Sequence, residues 1–312
     1  MAKSLITPMS PINHNEIFDD ANFIYQVKWD GVRMISYIKN NEVTLINKRL
    51  NPRTDQYPEL QLLSSIVKGH DLTILDGEII ALENGKPSFP TVMRRDNTTD
   101  TKKINLLTKM IPVLYMVFDI LYLEGRDLRK LPWQERNQIL LDTVKPYPHI
   151  HVVETFNEGT SLFQAVKKQE LEGIVAKHKE SPYVSGNKHR YWFKIKYRRR
   201  LSCVIGGYTL NNKTINALLV GVYDKNELRY CGKVGTGLKS SEWATLTNEI
   251  DKMKSSTCPF VDFPSSEMNK VHFVKPLLTV EIEYAEWTPD IRLRAPSIIG
   301  FINKKPEECV IK

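Results

Sequence analysis

Short apolar runs recur along most of this 312-residue chain, each bounded by turn residues, and they restrict the fold to one rich in strands. In the first two thirds the predicted strands are 23–29, 33–39, 43–48, 72–82, 113–123, 149–154, 173–177 and 191–196. Helices are predicted at 133–144 and 160–170, and a further helix begins at Pro58, with proline in its first turn. The first three strands are interpreted as consecutive and antiparallel, with residues 39–42 as a hairpin turn. This pattern predicts a mixed α+β domain whose sheets are mainly antiparallel.

The pattern changes after a basic run, Tyr197-Arg198-Arg199-Arg200. We interpret this run as the hinge between two domains, 1–197 and 198–312. Beyond it, strands are predicted at 203–208, 217–223, 228–234 and 278–287, with one helix at 242–253. Several strands with a single helix in a segment of this length predict a small OB-type β-barrel, a fold that often grips nucleic acid.

Composition narrows the classes of function. No stretch approaches the apolar length of a membrane span, and the N-terminal residues do not form a secretory segment, so we expect a cytoplasmic protein. The four cysteines are far apart and include no C-x-x-C pair, which argues against a zinc site or a disulfide framework. The net charge of +8 favours a polyanionic partner, because Lys and Arg contacts to phosphate supply most non-specific affinity for nucleic acid.

The run Lys28-Trp29-Asp30-Gly31-Val32-Arg33 has the form K-x-D-G-x-R. It places a candidate nucleophile, a carboxylate, a tight-turn glycine and an anion-binding guanidinium within six residues. A lysine must lose its proton before it can attack phosphorus, and neighbouring cations, a metal or partial burial favour that loss. The alternative interpretation is a strand end followed by a polar turn on a solvated edge.

Further motifs follow in order, and the series is more specific than any member of it. They are Lys48-Arg49-Leu50-Asn51, Asp76-Gly77-Glu78, Phe118-Asp119, Glu172-Gly173-Ile174-Val175-Ala176-Lys177 and Trp192-Phe193-Lys194-Ile195-Lys196. Each lies at or just after the end of a predicted strand, so we expect all of them to line one cleft. The series resembles the covalent nucleotidyltransferase superfamily, most closely the ATP-dependent DNA ligases. Residues 78–80, 118–122, 126–136 and 231–237 are particularly similar to the ligase module of bacterial ligase D.

The resemblance implies that Lys28 attacks the α-phosphorus of ATP and becomes lysyl-AMP, while Asp30 orients its loop. Lys194 and Lys196, which alternate on a strand and so point the same way, would contact the α-phosphate. The candidate metal ligands are Glu172 and Glu78. They would hold Mg²⁺, with Mn²⁺ as the alternative ion, because magnesium takes one or two carboxylates together with substrate phosphates.

The same resemblance assigns contacts to nucleotide and to DNA. The residues assigned to the nucleotide are Gln26, Val27, Arg33, Arg49, Glu78, Phe118, Arg294 and Lys305. Those assigned to DNA are Arg33, Arg49, Arg198 and Lys233. Phe118 would stack on adenine, and the guanidinium fork suits Arg33 and Arg49 to a phosphate of the nucleotide or of the nicked strand.

The last motif of the family is altered in this chain. Arg294 and Lys305 are retained, but Ile302 stands where the family has a second arginine, and Asn303-Lys304 replaces an acidic pair. Because isoleucine cannot contact pyrophosphate, we hypothesise that self-adenylation is slower than sealing from the preformed intermediate. Gln26 also replaces a glutamate that is common two residues before the nucleophile.

The function expected from these residues is ATP-dependent sealing of 3′-OH/5′-phosphate nicks through lysyl-AMP and DNA-adenylate, in DNA repair. The expected substrate is nicked or broken duplex DNA. We expect a monomer, associated with the nucleoid if the source is bacterial, with a Ku-like end-binding protein as a candidate partner. The alternatives are an RNA ligase, an mRNA-capping-type nucleotidyltransferase and, from a different class, a non-catalytic nucleic-acid-binding protein.

Overall fold

The structure is a computed structural model that describes residues 5–67, 71–145, 147–288 and 290–311. The chain divides into two compact units, Met1–Tyr197 and Arg198–Lys312. Within the described part, no helix has the length and apolar character needed to cross a membrane. Residues 1–4, the start of the segment considered for a secretory signal, lie outside the described part.

The first unit contains two sheets. Its strands are β1 (Ser10–Asn13), β2 (Phe23–Val27), β3 (Val32–Lys39), β4 (Glu42–Asn47), β5 (Thr73–Glu83), β6 (Lys86–Pro87), β7 (Val113–Leu123), β8 (Arg126–Asp127), β9 (Ile150–Val152), β10 (Gly173–His178) and β11 (Lys188–Lys196). One sheet has the order β1-β11-β10-β2, and the other has the order β4-β3-β5-β7-β8, with β6 beside β5 and β9 beside β7. Only the β1–β11 and β7–β9 pairs among these strands are parallel, so the predicted antiparallel character is correct.

The predicted meander of three strands at the start of this unit is wrong. β3 and β4 do form a hairpin, whose turn has positive φ at Asn40 and Asn41, as the tight two-residue turn requires. β2, however, pairs with β10 in the other sheet and makes no pair with β3. Local alternation of polar and apolar residues does not reveal which sheet a strand joins, because the partner here is far away in the sequence.

The helices of the first unit are α1 (Leu63–Ile66), α2 (Phe89–Asp96), α3 (Thr101–Met110), α4 (Trp133–Thr143) and α5 (Gly159–Lys168), and a 3₁₀ helix at Pro58–Leu62 precedes α1. The sequence analysis missed α2 and α3. Both have side-chain N-caps, since the Ser88 hydroxyl accepts from the Thr91 N–H at 3.4 Å and Asp100 accepts from the Lys103 N–H at 2.9 Å.

Two apolar clusters support these sheets. The larger packs α1, α2 and α4 on the seven-stranded sheet. The second joins the sheets to each other, and its members include Ile24, Ile35, Leu121, Tyr122 and Trp192. Beside it, a fully buried ion pair connects α4 to β7: the Arg136 guanidinium donates two hydrogen bonds to the Asp119 carboxylate, at 2.8 and 2.9 Å.

The second unit is a curved sheet with one helix, α6 (Ser240–Ile250), as expected for the predicted OB-type barrel. Its strands are β12 (Arg199–Asn211), β13 (Thr214–Asp224), β14 (Glu227–Val234), β15 (Lys254–Ser255), β16 (His272–Val274), β17 (Thr279–Tyr284) and β18 (Ser297–Ile302). β12 is central and pairs with β13, β16 and β17. The predicted hinge is partly wrong, because Arg199 and Arg200 begin β12, and Arg200 lies 3.6 Å from Glu281 on β17.

Candidate active site

Lys28 lies on the short link, residues 28–31, that joins the two sheets of the first unit. Its backbone N–H donates to the Gly173 carbonyl at 2.9 Å, which ties the lysine to β10. Gly31 passes so close to β5 that a Cβ there would lie 2.2 Å from the Ile79 carbonyl oxygen. The link therefore requires glycine at this position, and both sheets fix the position of Lys28.

Lys28 forms part of the wall of a cavity of about 440 Å³ that residues of both sheets line. The predicted site residues along this wall are Gln26, Val27, Lys28, Arg33, Arg49, Glu78, Phe118 and Lys194. Glu78, Phe118 and Lys194 lie inside strands β5, β7 and β11, so the expectation that they follow strand ends is wrong. The structure nevertheless brings most of the predicted residues of the first unit to one cavity.

Glu172 joins Lys28 to Lys196 beside this cavity. Its Oε2 accepts a hydrogen bond from Lys28 Nζ at 2.5 Å, and its Oε1 accepts one from Lys196 Nζ at 2.7 Å. Burial alone would raise the pKa of Glu172, but the two ammonium groups outweigh burial and lower it. Glu172 is therefore ionised at neutral pH and holds both lysines.

Arg33 is held by a buried network. Its guanidinium donates to both oxygens of Asp76, at 2.5 and 2.6 Å, and the Asp76 side chain is fully buried. The Tyr183 hydroxyl donates to the same carboxylate at 2.6 Å and accepts from the Met9 N–H at 3.0 Å. Any phosphate contact of Arg33 has to be made alongside this bidentate pair.

Phe118 and Lys177 form an aromatic cage in the same wall. Lys177 Nζ lies 4.5 Å from the ring centroid of Phe118 and 4.4 Å from that of Trp192, and it donates to the Phe118 carbonyl at 3.1 Å. The Arg33 guanidinium carbon lies 4.3 Å from the same Phe118 centroid. Burial lowers the pKa of Lys177 to about 7. An adenine stacked on Phe118 would have to share the ring with these cations.

Glu78 faces the cavity from β5. Burial raises its pKa to about 7, although Arg33 and Lys28 act in the opposite direction. Its carboxyl group thus changes charge near neutral pH. Within the described residues, no three Asp, Glu, His or Cys side chains come together as a set able to hold a metal ion.

Arg49 and Gln26 differ in how much of each side chain remains available. Arg49 is exposed on the cavity wall, and across the described residues its guanidinium has no carboxylate within 4 Å. Gln26 is buried, and its amide donates to the Val153 carbonyl at 3.2 Å. Asp30 lies partly buried in the link, two residues after Lys28.

The other predicted residues belong to the second unit. Arg294 donates to Glu286 at 2.6 Å, and Arg198 donates to a backbone carbonyl at 3.1 Å. Lys233 is exposed on β14, and Lys305 is exposed after β18. These residues are described within their own unit and are not part of the cavity.

Sequence reasoning assigned no role to three lysines of the cavity wall, Lys48, Lys177 and Lys188. A signal existed for Lys177, which stands two residues after Val175 on β10 and therefore faces the same side of the sheet. Lys48 directly precedes Arg49. Lys188, at the start of β11, lies outside every motif that was recognised.

Comparison with known proteins adds an independent result. Residues 5–196 match the family model of the ATP dependent DNA ligase domain, and residues 211–305 match that of the ATP dependent DNA ligase C terminal region. The SPbeta prophage-derived DNA ligase-like protein LigB of Bacillus subtilis is 32% identical over 216 residues, which cover 69% of this chain and 75% of LigB.

A second set of relatives is longer than this chain. The multifunctional non-homologous end joining DNA repair protein LigD of Mycobacterium tuberculosis is 31% identical over 298 residues, which are 93% of this chain and 37% of LigD. The chain thus spans little more than a third of that relative. The solved structure of mycobacterial DNA ligase D complexed with ATP and MES matches with a TM-score of 0.56 and 29% identity, covering 98% of both chains.

Proposed function

The chain belongs to the ATP-dependent DNA ligases, and on this premise we propose that it seals nicks in duplex DNA through a lysyl-AMP intermediate on Lys28. One observation carries the assignment of the nucleophile. Lys28 stands in the wall of the cavity, tied to Glu172 at 2.5 Å, with Lys194 in the same wall. A non-catalytic nucleic-acid-binding protein would have no use for this arrangement.

In the proposed first step, Lys28 Nζ loses a proton and attacks the α-phosphorus of ATP. A P–N bond forms, the bond from that phosphorus to the bridging oxygen breaks, and pyrophosphate leaves. Lys194 neutralises the charge that develops on the α-phosphate. Lys196 and Glu172 hold the nucleophile in line, because Glu172 bridges the two lysines.

The proposed nucleotide pocket is the cavity itself. Phe118 packs on the adenine, with the Gln26 and Val27 backbone beside it, and Glu78 accepts a hydrogen bond from the ribose. Arg33, held by Asp76, presents a fixed positive charge to the nucleotide. The rigid pair supports this role, because a preorganised guanidinium loses little side-chain entropy on binding.

In the two later steps, DNA replaces pyrophosphate as the partner of the adenylate. An oxygen of the 5′-phosphate at the nick attacks the lysyl-AMP phosphorus, and Lys28 leaves. The 3′-hydroxyl then attacks the 5′-phosphate, the phosphodiester bond forms and AMP departs. We assign DNA phosphate contacts to Arg49, Arg198 and Lys233, and contacts to ATP to Arg294 and Lys305.

A divalent cation, Mg²⁺ or Mn²⁺, fits the residues present only if substrate phosphates and water supply most of its ligands. The described residues offer no larger group of metal-binding side chains. Glu172 and Glu78 are the carboxylates that would hold the ion, which when bound would neutralise charge on the phosphates. Glu172 would then have to give up one of its two lysine contacts.

We place the protein in DNA repair in the cytoplasm, acting as a monomer on nicked or broken duplexes. The relationship to LigD, which is named for non-homologous end joining, supports a repair role. It also makes a Ku-like end-binding protein a partner to test, by measuring sealing of blunt ends with and without one.

Covalent labelling tests the proposal. The parent should acquire radioactivity from ATP labelled at the α-phosphate and pass it to nicked DNA, and Lys28→Ala should do neither. Lys39→Ala is the matched control, because Lys39 is an exposed lysine of β3 whose carboxylate contact, to Asp71, is 3.9 Å long. Labelling of Lys28→Ala equal to that of the parent would rule out Lys28 as the nucleophile.

The same assay separates the alternatives. Labelling by GTP in place of ATP would indicate an mRNA-capping-type enzyme. Sealing of nicked RNA but not nicked DNA would indicate an RNA ligase. Binding of nucleic acid without any labelling would indicate the non-catalytic protein.

A further inference from the structure

Two lysines of the cavity wall have no role in the steps described so far. Lys48 follows β4 at the edge of the seven-stranded sheet, and Lys188 begins β11 in the four-stranded sheet. Both line the same cavity as Lys28 and Lys194, and both are exposed to it. The two sheets therefore each contribute one additional ammonium group.

These lysines differ from most other cations of the site in lacking an acidic partner. Arg33 is paired with Asp76, Arg53 with Asp96, and Lys28 with Glu172. By contrast, no carboxylate of the described residues lies within 4 Å of the ammonium groups of Lys48, Lys188 or Lys194, or of the Arg49 guanidinium. The wall thus holds a group of uncompensated positive charges, which are Lys48, Arg49, Lys188 and Lys194.

The charges are close enough to affect one another. Burial lowers the pKa of Lys194, and Lys196, Lys28, Lys188 and Lys48 lower it further. An anionic ligand that enters the cavity would relieve this mutual repulsion, so the gain on binding is larger than for isolated surface lysines.

The amount of charge indicates which anion fits. A phosphate monoester carries about two negative charges at neutral pH, and a nucleoside triphosphate carries roughly twice as many. Lys194 is already placed at the α-phosphate in the proposed reaction. The remaining cations therefore match the part of the triphosphate that leaves as pyrophosphate better than they match a single 5′-phosphate of DNA.

We propose that Lys48 and Lys188 bind the β- and γ-phosphates of ATP and stabilise the departing pyrophosphate, so that the first unit itself holds the leaving group. This inference rests on the proposed function. In the adenylation step no atom of either lysine changes bonding: each donates hydrogen bonds to phosphate oxygens, more strongly as charge moves onto the leaving pyrophosphate.

The test compares Lys48→Ala and Lys188→Ala with the parent and with Lys109→Ala, an exposed lysine of α3 that does not line the cavity. Loss of one charge-assisted hydrogen bond should lower the adenylation rate constant divided by the KM for ATP about tenfold. Binding of ATP should weaken by a similar factor, binding of AMP should not change, and Lys48→Arg should retain most of the rate.

Two further measurements make the result decisive. Cleavage of preformed enzyme–AMP by added pyrophosphate should slow about tenfold in each alanine variant, because microscopic reversibility makes the same contacts necessary. Transfer of AMP from the preformed intermediate to nicked DNA should stay within about twofold of the parent.

The inference is wrong if ATP binding and adenylation are unchanged in both variants. It is also wrong if only AMP transfer to DNA slows, since the lysines would then bind the 5′-phosphate of the nick. A parent protein that forms no lysyl-AMP at all would instead refute the proposed function, which the two alanine variants do not test.

Discussion

Glu172 holds Lys28 across a separation of 144 residues in sequence, by a hydrogen bond of 2.5 Å to the lysine ammonium. Its second oxygen holds Lys196. One carboxylate therefore fixes the position of the proposed nucleophile and of a neighbouring lysine. Removal of that carboxylate would leave two ammonium groups close together without compensation.

Glu172→Gln should slow lysyl-AMP formation about a hundredfold, because a misplaced reacting group costs about that factor. The neutral amide cannot hold two ammonium groups, so Lys28 should lose its fixed position. Single-turnover labelling with ATP measures the effect. Glu170→Gln is the control, since Glu170 is an exposed residue paired with Lys86 on the surface. Equal slowing in both variants would argue against a specific role for Glu172.

Asp76→Asn should destabilise the fold by about 3–5 kcal/mol, because it leaves the Arg33 charge without its buried partner. Tyr183→Phe removes only one hydrogen bond to the same carboxylate and should cost about 1–2 kcal/mol. Urea denaturation followed by circular dichroism measures both changes. Asp71→Asn, at an exposed aspartate, should change the free energy of unfolding little. A loss in Asp76→Asn no larger than in Asp71→Asn would contradict the prediction.

Lys177 should make stability depend on pH above neutrality. Its pKa is about 7 in the folded protein and about 10.4 in an unfolded chain. Between these values the unfolded state binds more protons, so the free energy of unfolding should rise with pH, by at most about 1.4 kcal/mol per unit. Below the folded pKa the contribution is constant and unfavourable.

Lys177→Met should abolish this slope and stabilise the protein near pH 7, as urea titrations from pH 7 to 10 would measure. Lys168→Met, at an exposed position on α5, should keep the slope of the parent. An unchanged slope in Lys177→Met would show that the ammonium group is not desolvated.

Ile302→Arg should speed self-adenylation several-fold without affecting the sealing of pre-adenylated nicked DNA. Ile302 ends β18 and is half-exposed, and its carbonyl accepts a hydrogen bond from Thr279 Oγ1 at 2.8 Å, so a longer side chain leaves the backbone contact intact. Ile299→Arg, on the same strand and also exposed, is the matched control. Rates for ATP-dependent sealing and for pre-adenylated DNA that are already equal in the parent would remove the hypothesis of a slow first step.

Much of the fold was predictable because its signals are local. β7 has the predicted bounds, the hairpin turn at Asn40 and Asn41 is correct, and the α+β class and the OB-type second domain are confirmed. The family resemblance is confirmed as well. α2 and α3 were missed because their polar composition conceals them, although the caps at Ser88 and Asp100 were readable in the sequence.

The site was less predictable because its organisation depends on long-range pairing. The motifs identified Lys28 and Glu172, but only the antiparallel pairing of β10 with β11 and β2 brings Glu172 between Lys28 and Lys196. Likewise, no local pattern shows that Asp76 occupies the Arg33 guanidinium. Pairings of this kind arise from tertiary packing, which a strand pattern does not encode.

The position of Lys28 on the link between the two sheets has a mechanical consequence. One sheet carries Glu78 and Phe118, the other carries Glu172 and Lys194, and only the apolar layer around Trp192 sets the spacing between them. Any sliding of one sheet over the other changes the distance from the lysine to half of its reaction partners at once. The stiffness of that buried layer is thus a determinant of the reaction rate, and a cavity made far from the nucleotide would act as a change in the reaction geometry.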